Sequence, residues 1–340
     1  MPNQDSINSE LEVVSLKAPA IPRRSRLFPI EPIGVGTAYT ESLTSYLNRL
    51  AQEHCLTSRT LIMREIAPQI MGQDFEVSYR KKKVSSLFAN TDAKPALNGM
   101  KTMTQNLTQA LEYLTQREDL KILSFLTWKR VISERELFRQ YRAWCPDCYE
   151  QWKQEKKSIY EPLLWSFRDV KICLHHQCQL IDECPHCGSR LPVIANFLLP
   201  GFCSRCKEWM GRDKDGRKST HPRDIEEIRS NITSIGELIA VVPQLKYEPT
   251  MEELIRKLQF ISFVFESAVS KDLTRFVALG NIMEQLKIAV GQHQNKPFHL
   301  VKLIIPVCQR ANLTLSQLFL EDIQWLSRIL FEHFHLGYKV

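Results

Sequence analysis

Eight residues between Cys145 and Cys206 have the types and spacing of metal ligands. Cysteines recur three times as pairs separated by two residues, and a fourth pair has histidine as its second member. Two intervening residues let the backbone turn tightly and point both side chains at one ion. The pairs are Cys145/Cys148, Cys173/His176, Cys184/Cys187 and Cys203/Cys206.

Sequential pairing of these ligands gives two sites. The first has three cysteines and one histidine, and the second has four cysteines joined by a loop of ordinary zinc-ribbon length. This ligand chemistry indicates Zn²⁺, so we expect two structural zinc ions. Four protein ligands leave no open position for water, and such sites stabilise a fold rather than catalyse.

Two residues close to the first site leave alternatives open. His175 could replace His176 as the nitrogen ligand. Cys178 is a spare thiol that could compete, and we rank it as a non-ligand.

The composition is that of a soluble globular protein. The chain has 340 residues, of which 44% are hydrophobic and 24% charged, enough for one very large domain or two to three ordinary ones. A net charge of +7 is compatible with a nucleic-acid partner without requiring one. The sequence has no signal-peptide pattern and no apolar run of ~18 residues, so we expect a cytoplasmic protein. Ten cysteines in that reducing compartment favour metal over disulfides.

Common catalytic motifs are missing from the sequence. It contains neither a Gly-x-x-x-x-Gly-Lys-Ser/Thr loop nor Gly-x-Gly-x-x-Gly, and neither Gly-x-Ser-x-Gly nor His-Glu-x-x-His. A zinc-containing nuclease is the rival from another class, but the spacing of the acidic residues does not suggest a two-metal site. We therefore expect a protein that is not an enzyme.

Helical periodicity dominates, and the fold class is predicted to be mainly α with small zinc-ribbon elements. Residues 1–27 read as an extended or disordered lead, and 28–135 as an N-terminal helical domain of helix-turn-helix character. The tandem zinc-finger region covers 136–212, and 213–340 form a C-terminal helical domain.

The helix-turn-helix pattern occurs twice. A helix beginning after Glu41, a short turn and a second helix with Thr57 or Ser58 as its N-cap have the expected geometry. Residues 307–319 align with 50–62 without a gap. Each copy is either a DNA-reading motif or a generic helical hairpin.

Longer stretches resemble the TniQ family, which includes TnsD-type proteins. The resemblance covers about residues 26–210. It is carried by Pro29 and the segments Glu41–Leu43, 45–51 (SYLNRLA), 110–128 (ALEYLTQREDLKILSFLTW), 141–148 (YRAWCPDC) and 162–165 (PLLW), followed by the pairs Cys173/His176 and Cys184/Cys187.

The resemblance implies a non-catalytic transposition adaptor. Such a protein links a target-recognition complex to the AAA+ regulator TnsC and so selects the DNA insertion site. The length of the chain favours members from CRISPR-associated transposons, whose partners are a Cascade-like effector with its guide RNA, TnsC and target DNA. The alternative is a TnsD-like protein that reads an attachment site directly. A homodimer is compatible with either.

Seven cationic residues are candidate contacts to nucleic acid or partners. The helical pair in 41–66, together with 23–32, is predicted to form a partner-binding surface. Further cations would contact phosphates, fixing orientation without reading sequence. The candidates are Arg49, Arg59 and Arg64 on the helical pair, and Lys81, Lys82, Arg212 and Lys214 elsewhere.

Overall fold

The computed structural model describes residues 24–71, 97–195, 199–211, 225–269 and 297–334. Helices dominate this part of the chain, as predicted, and its strand pairing consists of isolated β-bridges. The α-helices are α1 (Leu43–Glu53), α2 (Ser58–Leu61), α3 (Ala67–Met71), α4 (Thr102–Thr115), α5 (Pro146–Gln154), α6 (Ile225–Val241), α7 (Met251–Val269), α8 (Ile305–Arg310), α9 (Leu315–Leu320) and α10 (Ile323–His333).

Shorter helical turns complete this description. The π-helical turn Ile62–Ile66 joins α2 to α3, and a second one, Leu300–Ile304, leads into α8. Turns of 3₁₀-helix cover Leu120–Leu123, Leu126–Trp128, Leu163–Ser166 and Val242–Gln244. None of the described helices combines the length and apolar character needed to cross a membrane.

The N-terminal helical pair begins with α1, whose N-cap Ser42 accepts the Ser45 N–H. The chain turns sharply at Cys55, which has a φ of 54°, and the Leu56 N–H donates to the Ala51 carbonyl at 2.8 Å. This is the left-handed ending that closes many helices. Thr57 then caps α2 through its side chain.

The C-terminal copy repeats that turn position by position. Asn312, aligned with Cys55, has a φ of 51°, and the Leu313 N–H donates to the Cys308 carbonyl at 2.9 Å. Thr314 caps α9 with a complete capping box that includes Gln317. The two aligned segments therefore share one backbone turn, and whether either contacts DNA stays a prediction.

Two apolar cores organise the described residues. The N-terminal core lies among α1 to α4 and also buries Leu27, whose N–H donates to the Leu114 carbonyl. The larger core contains the metal region and the C-terminal helices together. Within it, Phe319 of α9 packs edge-on against Trp128 at 4.6 Å. Side-chain packing thus runs across both predicted domain borders, 135/136 and 212/213, which remain predictions.

Candidate metal centres

In all four ligand pairs the N–H of the fourth residue after the first ligand donates to that ligand's carbonyl, as from Gly188 to Cys184 at 2.9 Å. In three of the pairs this fourth residue also has a positive φ. Gly188 has a φ of 66°, and Gln177 and Lys207 hold the matching positions with φ values of 53° and 69°. Only the glycine was identifiable from sequence, because side-chain-bearing residues seldom adopt this conformation.

The first ligand pair is built into a helix start. Cys145 is the N-cap of α5, and its sulfur accepts the Cys148 N–H at 3.4 Å. Pro146 occupies the first helical position, where its missing N–H costs nothing. The helix therefore fixes both sulfurs on the side that faces the second pair.

The first cluster has the dimensions of a tetrahedral site. The His176 Nδ1 lies 3.3 Å from the Cys148 sulfur, 3.6 Å from that of Cys145 and 3.8 Å from that of Cys173. The Cys148 and Cys173 sulfurs are 3.6 Å apart. Ligand bonds of about 2.3 Å to sulfur and about 2.0 Å to nitrogen give tetrahedron edges of about 3.8 Å between two sulfurs and about 3.5 Å between sulfur and nitrogen. These four donors fit one ion.

The second cluster has the same dimensions with sulfur alone. The distance between the sulfurs is 3.7 Å for Cys184 and Cys206, and 3.8 Å for Cys187 and Cys203. All four sulfurs lie within 4.8 Å of one another. Cys187 is exposed, whereas the cysteines of the first cluster are buried.

The alternatives at the first cluster lie outside the tetrahedron. The sulfur of Cys178 is 3.4 Å from that of Cys145 but does not belong to the four-donor group. The His175 ring stacks on Tyr39, with centroids 3.8 Å apart. The geometry therefore groups His176 with the three cysteines.

A backbone seam fastens the first cluster to the N-terminal core. Glu41 and Pro162 form an antiparallel bridge, the Ser42 N–H donates to the Glu161 carbonyl, and the Leu163 N–H to the Thr40 carbonyl. The seam joins chain segments that are about 120 residues apart. No pattern in the sequence predicted this pairing.

The position of Arg49 corrects the expectation of an exposed cation. Its side chain is only 13% exposed and pairs at 2.7 Å with Glu41, which is buried in the seam. Burial raises the pKa of Glu41, while hydrogen bonds from Arg49 and Ser45 counteract that rise. Arg49 therefore compensates a buried carboxylate, and of the helical-pair candidates only Arg59 and Arg64 are exposed.

The remaining cationic candidates, Lys81, Lys82, Arg212 and Lys214, lie outside the described residues, as do Arg23 and the run 80–83. Their predicted phosphate contacts stay predictions.

Trp209 connects the two clusters through its side chain and its carbonyl. Its indole N–H donates to the Glu150 carboxylate of α5 at 3.0 Å, and Lys153 lies 4.7 Å above its ring. Its carbonyl is 2.8 Å from the His186 Nε2 in the second cluster's first turn. Gly201 leaves room for the indole, because an added Cβ would lie 2.3 Å from it.

The arrangement can hold two metal ions in closed coordination. Each cluster supplies four protein donors at tetrahedral spacing, so each has its full complement of ligands without water or substrate. Such centres hold chain segments in place.

The comparison with family models assigns part of the chain. Residues 32–180 match the TniQ family model. The match contains α1 to α5, the backbone seam and the first cluster, and it ends before the second. No curated protein matches the chain.

Proposed function

Because residues 32–180 form a TniQ-family domain in a transposition-associated protein, we propose that the chain is a non-catalytic transposition adaptor. The adaptor links a Cascade-like CRISPR effector with its guide RNA to the AAA+ regulator TnsC, and so selects where DNA is inserted. The family match is the observation that carries this proposal. No catalytic family is indicated for the chain.

Zinc is the proposed metal of both clusters. Three thiolates with one imidazole, and four thiolates, are the donor sets that zinc takes in structural sites. Bound zinc would supply folding free energy, because the unfolded chain has no such site. The ligand residues anchor α5 and the seam in the larger core. An adaptor that contacts two partners at once requires such a fixed support.

The proposed face for a partner is the N-terminal helix-turn-helix. Arg59 and Arg64 are exposed on its second helical run, which extends from Ser58 to Met71. The C-terminal copy is less suited, because α9 has only six residues and its Phe319 packs on Trp128.

Charge reversal tests this face. Arg59→Glu with Arg64→Glu should abolish co-purification with the effector or TnsC while leaving unfolding unchanged. Arg256→Glu with Arg328→Glu is the matched control, since both arginines are exposed on the C-terminal helices. If both double variants co-purify to the same extent, Arg59 and Arg64 do not contribute to the interface.

Reconstitution tests the adaptor role itself. Adding the purified chain to effector, TnsC and transposase should switch on targeted insertion. The chain alone, with Mg²⁺ or Mn²⁺, should neither cleave DNA nor hydrolyse ATP. Metal-dependent cleavage that disappears on mutation of a carboxylate cluster would show that the protein is a nuclease and not an adaptor.

A TnsD-like reader of an attachment site is the second candidate, and the exposed arginines of the helix-turn-helix favour it. Direct reading predicts sequence-dependent binding to duplex DNA at ~10⁻⁸ M or tighter in physiological salt. An adaptor predicts weak binding that falls steeply as salt rises. Titration of purified chain with duplexes of defined sequence separates the two.

A further inference from the structure

A third group of metal-binding side chains lies beside the first cluster and shares one residue with it. The sulfurs of Cys145 and Cys178 and a carboxylate oxygen of Asp147 all lie within 4.8 Å of one another. The two sulfurs are 3.4 Å apart, close to the tetrahedron edge of about 3.8 Å for two sulfurs on one ion. These three donors are therefore near enough to one another to hold a single ion.

The backbone turn of the first cluster places Cys178 without requiring a cysteine at that position. The N–H of the ligand Cys173 donates to the Cys178 carbonyl at 2.8 Å, five residues further along the chain. In the second cluster the N–H of Cys184 donates in the same way to the carbonyl of Ser189 at 3.0 Å. The turn thus forms equally well with serine, and the extra sulfur is particular to the first cluster.

The third donor, Asp147, is placed by the start of α5. It is the second residue after the ligand Cys145 and lies in the first turn of the helix. Asp147 is half-buried, whereas Cys145 is fully buried and Cys178 is 5% exposed. The group therefore reaches solvent on the side of Asp147. The corresponding positions in the second cluster are His186 and Arg205, so that cluster has no carboxylate there.

The charge of the first cluster favours a further cation beside it. A divalent ion held by three thiolates and a neutral imidazole has an excess of negative charge, since three negative sulfurs outweigh its two positive charges. Two thiolates and a carboxylate are donors that Zn²⁺ and similar thiol-seeking ions accept. A thiolate sulfur has enough lone pairs to bind two ions, so Cys145 can serve both positions at once.

We infer that the chain binds a third metal ion, a divalent thiol-seeking ion such as Zn²⁺ or Cd²⁺, between Cys145, Asp147 and Cys178. The Cys145 sulfur bridges this ion and the ion of the first cluster. Three protein donors leave one position of a tetrahedron for water. With fewer protein donors, the third ion binds more weakly than the two structural ions and fills its site when free metal is in excess. This site is independent of the proposed adaptor function.

Cadmium-113 is the probe, because its nuclear resonance reports each bound ion separately. The metal of the full chain is exchanged for cadmium, and spectra are recorded as the ratio of ions to chain is raised from two to four. We expect two resonances at the ratio of two and a third resonance at higher ratios. The third resonance should show scalar coupling to that of the first cluster, transmitted through the shared Cys145 sulfur.

Substitution of the two unshared donors tests the assignment. Cys178→Ser should abolish the third resonance and its coupling. The other two resonances should remain, and they show that the variant folds. Asp147→Asn should weaken the third ion about tenfold or more, since losing even an outer partner of a ligand typically costs that much. Cys55→Ser and Glu118→Gln are the matched controls, because both side chains are exposed and belong to none of the metal-binding groups among the described residues.

Three results would overturn the bridged site. The first is a spectrum that keeps only two resonances at a ratio of four ions to one chain. The second is a third resonance without coupling, because the shared sulfur defines the site. The third is a third ion that survives Cys178→Ser, which would be an adventitious ion only. Metal binding is measured on the chain alone, so these results are independent of reconstituted insertion.

Discussion

The hydroxyl of Tyr39 lies 4.0 Å from the sulfur of Cys173, although the two residues are 134 positions apart. The same hydroxyl accepts the His175 N–H at 3.1 Å, and the Tyr39 ring stacks on His175. Burial raises the pKa of Tyr39 well above its ordinary range, so the hydroxyl keeps its proton and can donate to sulfur. A residue of the N-terminal segment therefore supports a ligand of the first cluster from outside.

Tyr39→Phe should loosen the metal of the first cluster. Removing an outer hydrogen bond to a ligand typically costs 10–100-fold in metal affinity. We expect a loss of about tenfold, measured by competition with a chromophoric chelator, and a sulfur-to-metal absorption band of the Co²⁺ form that is shifted in energy.

Tyr160→Phe is the matched control for Tyr39→Phe. The Tyr160 hydroxyl donates to the Tyr39 carbonyl at 3.1 Å but is not bonded to a ligand sulfur. Its removal should lower the free energy of unfolding by about 1 kcal/mol with metal affinity unchanged. Equal metal affinity in both variants would mean that the Tyr39 hydroxyl does not support the ligand and that Tyr39 contributes only packing.

The roles of the three residues near the first cluster can be separated by substitution. His176→Ala should reduce the metal content from two ions to one, because it removes one of four donors. Cys178→Ser and His175→Ala should keep two ions, since neither residue belongs to the four-donor group. Elemental analysis of the folded variants decides this, and one ion in Cys178→Ser would make that cysteine a ligand.

The two groups of four donors could be predicted from sequence because a Cys-x-x-Cys or Cys-x-x-His pair is a local structure. Five consecutive residues determine both the spacing of the two ligands and the turn of the backbone, as from Cys184 to Gly188. The N-cap at Thr57 was predictable for the same reason, and the gapless alignment of 307–319 with 50–62 places Thr314, the observed cap of α9, at the matching position.

The seam and its consequences could not be predicted, because they depend on contacts between distant segments. Helical periodicity cannot reveal that Arg49 reaches back to Glu41, whose burial depends on Pro162 lying across it. Tyr39 had no ligand-like type or spacing. Its role follows from the position of Cys173 in the folded chain, which a single sequence does not encode in a recognisable pattern.

The two centres should lose metal in a fixed order. Cys187 of the second cluster is exposed and Cys206 is half-buried, whereas all three cysteines of the first cluster are buried. A chelator that attacks one ligand at a time reaches the exposed sulfur first. We expect two kinetic phases of one ion each on mixing with excess chelator. Cys184→Ser should remove the fast phase and Cys148→Ser the slow one, and the reverse assignment would contradict this order.

The carboxyl of Glu237 should make stability depend on pH. Burial raises its pKa in the folded chain, while the Leu315 and Ser316 N–H groups counteract the rise. A raised folded pKa means that the folded chain holds this proton more tightly than the unfolded chain does. The resulting stabilisation is complete below the unfolded pKa of about 4.3 and is lost as pH rises through the folded value.

Glu237→Gln removes this titration and keeps an oxygen acceptor for both N–H groups. The free energy of unfolding of the natural chain minus that of the variant should fall as pH rises from the unfolded pKa through the raised one. Urea unfolding of both chains across that range provides the measurement. A difference that is constant with pH would mean that Glu237 titrates alike in both states.

The close approach of Gly236 to Ala38 should control how α6 sits on the N-terminal segment. A Cβ at Gly236 would lie 2.7 Å from that of Ala38, the neighbour of Tyr39, and such overlap costs about 1–3 kcal/mol in a packed core. The helical preference for alanine over glycine opposes this by at most about 1 kcal/mol. Gly236→Ala should therefore destabilise the chain, measured by urea unfolding of the metal-loaded protein.

Ala38→Gly frees the space, so the double variant should be more stable than the sum of the two single effects predicts. Additive effects would show that the segment moves aside at no cost, and Gly236 would then not hold α6 against it.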